Sequence, residues 1–160
     1  MRERRGQAWR FVLAGGLVAG TLDIVYACAF WWLKRGVPPT RILQSVAAGL
    51  LGEASFSGAG ATAALGLALH YFIATSMSVT YCLVSQRWTA LRQKPWLYGA
   101  AYGLLLYIIM NYVVVPLSAA RSGSTDPLWV GCSVAVHMLL IGVPIAAFSS
   151  RVLEFERTGG

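Results

Sequence analysis

Four polar side chains stand apart in this sequence, because each lies alone within a long apolar run. They are Asp23, His70, Asn111 and His137. Carboxyl and imidazole groups gain and lose protons, and inside a membrane they mark binding sites, proton relays or permeation paths. Counted from one side of a membrane at about 1.5 Å per residue, the carboxyl and both imidazoles lie about 14–15 Å deep and the amide about 9 Å deep. The spacing therefore predicts that the four runs contribute to one polar cluster.

Three uses of such a cluster are open from the residues alone. In the first, the cluster is structural: Asp23 hydrogen-bonds one histidine, and Asn111 completes the network. In the second, the titratable groups handle a proton or an ion. In the third, His70 and His137 ligate a haem or a metal, and Asp23 orients one of them. No haem-attachment motif or cysteine–histidine cluster accompanies the histidines, so we expect no cofactor and no resident metal.

The apolar runs that carry these residues predict four transmembrane helices. The runs are residues 11–33, 60–84, 96–117 and 128–148. Each has about the 20 residues that a helix needs to cross roughly 30 Å of hydrocarbon. Their apolar residues do not alternate as they would in the strands of a membrane barrel. With 57% hydrophobic and only 12% charged residues, the sequence predicts one all-α membrane domain over residues 1–160, a four-helix bundle embedded in the lipid bilayer.

The tryptophans and the basic residues predict how this bundle sits in the membrane. All six tryptophans lie near the ends of the apolar runs, where amphipathic rings favour the membrane–water boundary. Nine of the 13 Lys and Arg residues fall on the side that also holds both termini, and four fall on the other side. Positive charge accumulates on the cytoplasmic side of membrane proteins. Both termini are therefore expected in the cytoplasm.

The segment between the first two runs differs from the other connections. Over residues 40–56, apolar residues recur at helical spacing between polar ones, in a stretch too short and too polar to span. It predicts a short amphipathic helix on the outer surface, or a partly re-entrant one. Arg41 and Glu53 are possible contacts for a ligand at that surface.

Two glycine motifs predict where helices approach closely. They are Gly16-x-x-x-Gly20 in the first run and Gly99-x-x-x-Gly103 in the third. Small residues at this spacing let helix backbones touch where lipid supplies no hydrophobic force between helices. Pro116 and Pro144 should bend the third and fourth helices.

Several function classes are disfavoured. The sequence has no phosphate-binding glycine loop, no His-Glu-x-x-His and no serine elbow, so we expect no enzyme. The net charge of +7 is spread over short tracts between apolar runs, which does not suit a nucleic-acid groove. The three cysteines all lie inside apolar runs and fit packing better than a disulfide framework or zinc site.

Several stretches resemble a family of small bacterial four-helix inner-membrane proteins. These stretches are Ala19-Gly20-Thr21-Leu22-Asp23, Arg41-Ile42-Leu43-Gln44, Gly49-Leu50-Leu51-Gly52, Asn111-Tyr112 through Pro116-Leu117-Ser118, and His137 through Gly142-Val143-Pro144-Ile145. The resemblance covers about Leu13 to Arg151, and the second to fourth runs are more distantly similar to the YagU-like inner-membrane proteins. It implies a bacterial inner membrane and adds no catalytic residues.

These features lead to a prediction with one main alternative. We expect the bundle to bind or transport a small polar species or a proton through the polar cluster in its outer half. Four helices can barely enclose a pore, so transport would favour a homo-oligomer. Alternatively, the protein is a non-catalytic scaffold whose glycine-rich faces dock another membrane protein, and the cluster is only structural.

Overall fold

Helices form nearly all of the described chain. The structure is a computed structural model, which describes the backbone of residues 2–121 and 123–157 and the side chains of residues 9–121 and 123–152. Its α-helices are α1 (Arg2–Arg35), α2 (Pro39–Leu51), α3 (Ala59–Arg87), α4 (Ala90–Gln93), α5 (Pro95–Ile109), α6 (Val115–Leu117), α7 (Pro127–Val136) and α8 (Val143–Arg157). A 3₁₀ turn follows α2, and π-helical segments follow α5 and α7; their bounds are Gly52–Ser57, Met110–Val114 and His137–Gly142.

Four helical stretches are long and apolar enough to cross a membrane. We call them span 1 (Trp9–Arg35), span 2 (Ala59–Arg87), span 3 (Pro95–Leu117) and span 4 (Pro127–Val152). The predicted all-α architecture with four membrane-spanning helices is thus confirmed, and each predicted boundary lies within about one helical turn of the observed one. Because consecutive spans alternate in direction, both termini lie at one end of the bundle, the terminal end. Helix α2 lies at the opposite end, the α2 end.

The spans do not all pack on one another equally. Span 1 packs against spans 2 and 4, and span 3 packs against span 4. Spans 2 and 3 instead face each other across an apolar groove of about 620 Å³. The Tyr102 hydroxyl of span 3 crosses to span 2, where it donates to the Met77 carbonyl at 2.9 Å. The bundle is therefore open along one side and closed along the others.

The glycine motifs lie where the backbones come closest. A Cβ added to Gly16 would lie 2.7 Å from Cα of Thr75 in span 2, which is closer than real contacts allow. A Cβ added to Gly99 would lie 2.8 Å from the Gly142 carbonyl oxygen in span 4, and one on Gly103 would overlap the His137 carbonyl. Both motifs are used inside the chain's own bundle. A partner membrane protein would have to dock on other surfaces.

A proline follows each of the two π-helical segments. Pro116 and Pro144 lack the N–H that would bond to the carbonyl four residues earlier, and their rings crowd that carbonyl. Just before each proline, the N–H of Val115 or Val143 donates instead to the carbonyl five residues back. Widening the turn in this way accommodates the proline without ending the span. Such π-segments occur frequently at functional sites.

Helix α2 is shorter than predicted. It ends at Leu51, because Gly52 adopts a φ of 58°, and residues 52–57 continue as a 3₁₀ turn rather than as α-helix. The side chain of Gln44 is buried and donates to the Ala59 carbonyl at 3.0 Å and to the Thr62 hydroxyl at 3.3 Å. These bonds attach α2 to the start of span 2. A Cβ on Gly66 would overlap the backbone of α2, so the two helices cross in close contact.

An ion pair at the α2 end joins span 1 to span 4. The Lys34 ammonium donates to the Asp126 carboxylate at 2.5 Å. The same carboxylate caps α7 by accepting from the backbone N–H groups of Leu128 and Trp129, at 3.1 and 3.2 Å. The hydrogen bond from Lys34 is the main reason that the pKa of Asp126 lies below its ordinary value of 3.8, and the Trp129 N–H adds to the effect. One side chain therefore both begins span 4 and ties it to span 1.

Candidate functional site

All four of the polar residues singled out in the sequence line one cavity. The cavity has a volume of about 230 Å³ and lies among the four spans, toward the α2 end. Each span supplies one of its polar side chains: Asp23, His70, Asn111 and His137. Every one of the four is partly exposed rather than fully buried. The structure thus brings together residues that are 26 to 114 positions apart in the chain.

His70 reaches span 1 because the backbones of spans 1 and 2 are close at Gly20. Its Nε2 lies 2.7 Å from the Gly20 carbonyl oxygen. A carbonyl oxygen only accepts hydrogen bonds, so Nε2 carries the proton and donates it. A Cβ on Gly20 would lie 3.1 Å from the Tyr71 ring and from the Ala74 Cβ, which explains why this position favours glycine. In the neutral ring, Nδ1 is left as a hydrogen-bond acceptor.

His137 has the opposite arrangement. Its Nδ1 lies 2.9 Å from the carbonyl of Ser133, one turn earlier in the same span, so Nδ1 carries the proton. The Tyr107 ring packs against the imidazole nearly edge to face, with ring centroids 5.3 Å apart and planes at 87°. In the neutral ring, Nε2 is left as an acceptor. Because His137 begins a π-helical segment, the wider turn helps to set the direction of its side chain.

Asn111 lies in the other π-helical segment and is held by its own span. Its Nδ2 donates to the Tyr107 carbonyl at 3.0 Å. The amide oxygen lies toward the connection between spans 3 and 4, 3.7 Å from where a Cβ of Gly123 would be. Asn111 therefore keeps an acceptor oxygen and one further N–H for other partners.

Asp23 is the exception among the four. Within residues 9–121 and 123–152, its carboxyl forms no hydrogen bond and no ion pair with another residue. The predicted hydrogen bond between Asp23 and a histidine is therefore absent from the described part of the chain. The physical reason is that the N–H of each histidine is already donated to a backbone carbonyl. The predicted hydrogen-bonded network through Asn111 is not formed there either, because its amide donates to Tyr107.

Three polar or aromatic residues that the sequence argument did not select for the cluster also line the cavity. They are Tyr107, Trp129 and Ser133. Trp129 stacks on Tyr26 of span 1 with ring centroids 5.4 Å apart and planes at 9°, so it packs within the bundle as well as marking its boundary. Helical spacing would have found all three, because Tyr107 lies four residues before Asn111, and Trp129 and Ser133 lie eight and four residues before His137.

The floor of the cavity, toward the terminal end, is closed by the apolar core. Ala19 and Ile141 line the cavity, and both also belong to a buried cluster with Tyr81, Leu106, Ile145 and Ala146. Ala19 lies one turn below Asp23, and Ile141 one turn below His137. Close-packed apolar residues leave no path for water or for a polar solute. Along spans 1 and 4 the cavity therefore ends at this core, whereas Ile73, Met77 and Met110 line both the cavity and the apolar groove between spans 2 and 3.

Helix α2 covers the other end of the cavity. Val46 is the residue of α2 that lines it. A backbone hydrogen bond of 3.0 Å from Ala119 N–H to the Gly49 carbonyl also ties α2 to the end of span 3. Helix α2 is thus attached to spans 2 and 3 at once and contributes Val46 to the wall of the cavity.

Arg41 and Glu53, the predicted surface contacts, do not line the cavity. Arg41 lies over the Phe56 ring, with its guanidinium carbon 4.9 Å from the ring centroid, and it bonds to the Phe56 carbonyl. Glu53 forms an exposed ion pair with Arg121 at 2.8 Å. Both residues therefore stabilise the α2 end locally, although they remain open to solvent on the surface.

The cavity does not have the ligand set of a metal site. Within the part of the chain that the structure describes, no three His, Cys, Asp or Glu residues lie close enough together to hold a metal ion. Haem ligation by the two histidines stays a prediction. The arrangement can accept hydrogen bonds through one carboxyl group, two imidazole nitrogens and the Asn111 amide oxygen, and it can donate one through the further N–H of Asn111, in a small cavity with aromatic walls.

Comparison of the chain with protein families, with curated proteins and with solved structures finds no match in any of the three.

Proposed function

We propose that this four-helix membrane protein binds a small polar solute or a proton in the cavity, as a step in moving it across the membrane. The observation that carries the proposal is the carboxyl of Asp23, which faces a cavity lined by polar residues of all four spans and has no partner within the described residues. Placing a carboxylate in a membrane costs several kcal/mol unless it is paired or protonated. In a purely structural cluster, the Asp23 carboxyl would be expected to have a hydrogen-bond or ion-pair partner. A binding site leaves it for the ligand.

The closed floor favours a particular kind of transport. A pore would need a polar path to both ends of the bundle, whereas the apolar cluster around Ile141 blocks the terminal end. We therefore propose a site that takes up its solute from the α2 end and releases it only after the helices rearrange. Such a rearrangement fits a homodimer or larger assembly better than a single four-helix bundle.

The proposal includes an orientation and no catalysis. The distribution of Lys and Arg favours both termini in the cytoplasm, and the resemblance to small inner-membrane proteins suggests a bacterial inner membrane. In that orientation α2 and the cavity lie in the outer half of the bilayer. The site would then load from outside the cell membrane.

Ligand-dependent stabilisation of the purified protein tests this function. A solute that binds only the folded protein raises its thermal stability as the solute concentration rises. The probes are guanidinium and tetramethylammonium as cations, acetate as an anion and glycerol as a neutral solute. We expect at least one of them to raise the Tm of the natural protein and to have a much smaller effect on Asp23→Asn.

A matched variant controls for charge. Glu53→Gln removes one acidic charge from the exposed surface and leaves the cavity intact, so its response to the same probes should equal that of the natural protein. If no probe raises the Tm, or if Asp23→Asn responds as strongly as Glu53→Gln, the cavity is not a binding site.

A further inference from the structure

We propose that the solute is a small organic cation that carries several N–H donors. This inference rests on the proposed function and specifies its substrate class. It depends on the charge of the cavity lining, on which atoms of that lining are left as acceptors, and on how those atoms are distributed.

The charge of the lining favours a cation. Asp23 is an acidic residue, and among the residues whose side chains the structure describes no Lys or Arg lines the cavity. Interaction between opposite charges is strong where water is scarce, and an anion would be repelled by the carboxylate. The rings of Tyr107 and Trp129 also line the cavity, and aromatic faces attract cations. The lining therefore selects for positive charge.

The histidines favour a cation with N–H groups. The N–H of His70 is donated to Gly20 and that of His137 to Ser133, so the nitrogens left to these neutral rings are acceptors. An alkali cation prefers oxygen ligands and gains little from imidazole. An N–H donor on a cation forms charge-assisted hydrogen bonds to such nitrogens and to a carboxylate. Both histidines therefore favour a cation with N–H donors over an alkali cation.

The distribution of the acceptors indicates the size of the cation. Asp23, His70 and His137 line one cavity, yet they do not converge closely enough to hold a metal ion together. A ligand that reaches more than one of them needs donors on more than one atom. A volume of about 230 Å³ has room for roughly ten heavy atoms, so a cation of a few heavy atoms fits inside it. Guanidinium meets these requirements, because it is small, planar and positively charged and has N–H groups on three sides.

The deciding experiment compares two monovalent cations on the natural protein in detergent, with sodium chloride at equal ionic strength as the reference. Guanidinium has N–H donors and tetramethylammonium has none. Each is titrated at millimolar concentration, and its Kd is taken from the rise in Tm. We expect guanidinium to bind at least about tenfold more tightly, since a hydrogen bond to a charged partner contributes about that factor.

A variant separates the hydrogen bond from the charge. His137→Phe removes the Nε2 acceptor and keeps an aromatic ring against Tyr107. This variant should bind guanidinium about tenfold more weakly and should bind tetramethylammonium with nearly the natural affinity. Asp23→Asn should weaken the binding of both cations, because it removes the negative charge of the carboxylate.

The outcomes separate this inference from the proposed function. If acetate, glycerol or tetramethylammonium binds in an Asp23-dependent way and guanidinium does not bind more tightly, the substrate class is wrong and the binding site remains. If His137→Phe weakens the binding of both cations equally, the proposed role of His137 as a hydrogen-bond acceptor is wrong. If no probe binds at all, the proposed function and this inference both fail.

Discussion

The two histidines illustrate how a backbone contact fixes the chemistry of a side chain. Each ring donates to a carbonyl oxygen, through Nε2 in His70 and through Nδ1 in His137. The same residue type therefore occurs in opposite tautomers, because one ring reaches across to span 1 and the other bonds within its own helix. Each neutral ring therefore keeps one acceptor nitrogen, Nδ1 in His70 and Nε2 in His137. The sequence could predict the two histidines and their depth, but it contains no signal for the tautomer.

The tautomers can be read from nitrogen chemical shifts. In protein labelled with ¹⁵N-histidine and held at a pH where the rings are neutral, we expect a protonated Nε2 for His70 and a protonated Nδ1 for His137. The variants His70→Gln and His137→Gln assign the signals, since each removes one of the two. Identical tautomers at both positions would contradict the geometry described here.

The stability of two Asp126 variants gives a second prediction about a single residue. Asp126→Asn keeps a side chain that can cap α7 and removes the ion pair with Lys34, whereas Asp126→Ala removes both. At pH 7 we expect both variants to have a lower Tm than the natural protein, and Asp126→Ala to have the lowest. Equal losses in the two variants would show that the cap contributes nothing.

The ion pair should also show in the pH dependence. The pKa of Asp126 is lower in the folded protein than its ordinary value of 3.8, so the ion pair stabilises the folded protein fully above that pH. This stabilisation is lost as the pH falls through the lowered pKa. The difference in Tm between the natural protein and Asp126→Asn should therefore shrink as the pH falls below about 3.8. A difference that persists unchanged in stronger acid would contradict this assignment.

At the scale of the elements, the contact between spans 3 and 4 is set by glycine. Gly103→Ala would place a methyl group against the His137 carbonyl and separate the spans, at a cost of about 1–3 kcal/mol. Gly131→Ala is the matched control, because Gly131 lies in the helix of span 4 with nothing within 4 Å of an added Cβ. That control should be neutral or stabilising by up to about 1 kcal/mol.

Reversible unfolding in mixed micelles measures both free energies. A loss in Gly103→Ala that is no larger than in Gly131→Ala would show that the spans do not touch at this position. Since His137 lies at the same contact, Gly103→Ala should also weaken binding in the cavity.

Much of the element structure could be predicted, and the remainder has identifiable causes. Apolar runs of about 20 residues predict the spans because a bilayer imposes that length. The sequence does not reveal that the turns before Pro116 and Pro144 widen into π-helix, because a kink or a break would satisfy a proline equally well. The early end of α2 depends on the positive φ of Gly52, and a glycine permits that conformation without requiring it.

At the scale of the whole molecule, topology is the first property to measure. Reporters fused to the N-terminus, to the C-terminus and to the connection between spans 3 and 4 should place both termini in the cytoplasm and the connection outside. Termini on opposite sides would contradict four spans. Both termini outside would leave the four spans intact and reverse the proposed orientation, so that the cavity would face the cytoplasm.

The proposed function requires that the polar cavity lined by Asp23, His70 and His137 is free to take a ligand. A crystal structure of the protein in a lipid mesophase, at a resolution that shows ordered water, tests this most directly. We predict polar density within hydrogen-bond distance of the Asp23 carboxyl, between the two imidazoles, above a dry apolar layer around Ile141. The contrary result is a closed interior in which Asp23 hydrogen-bonds a histidine and no room is left between the rings. It would contradict the proposed function and show that the cluster is structural.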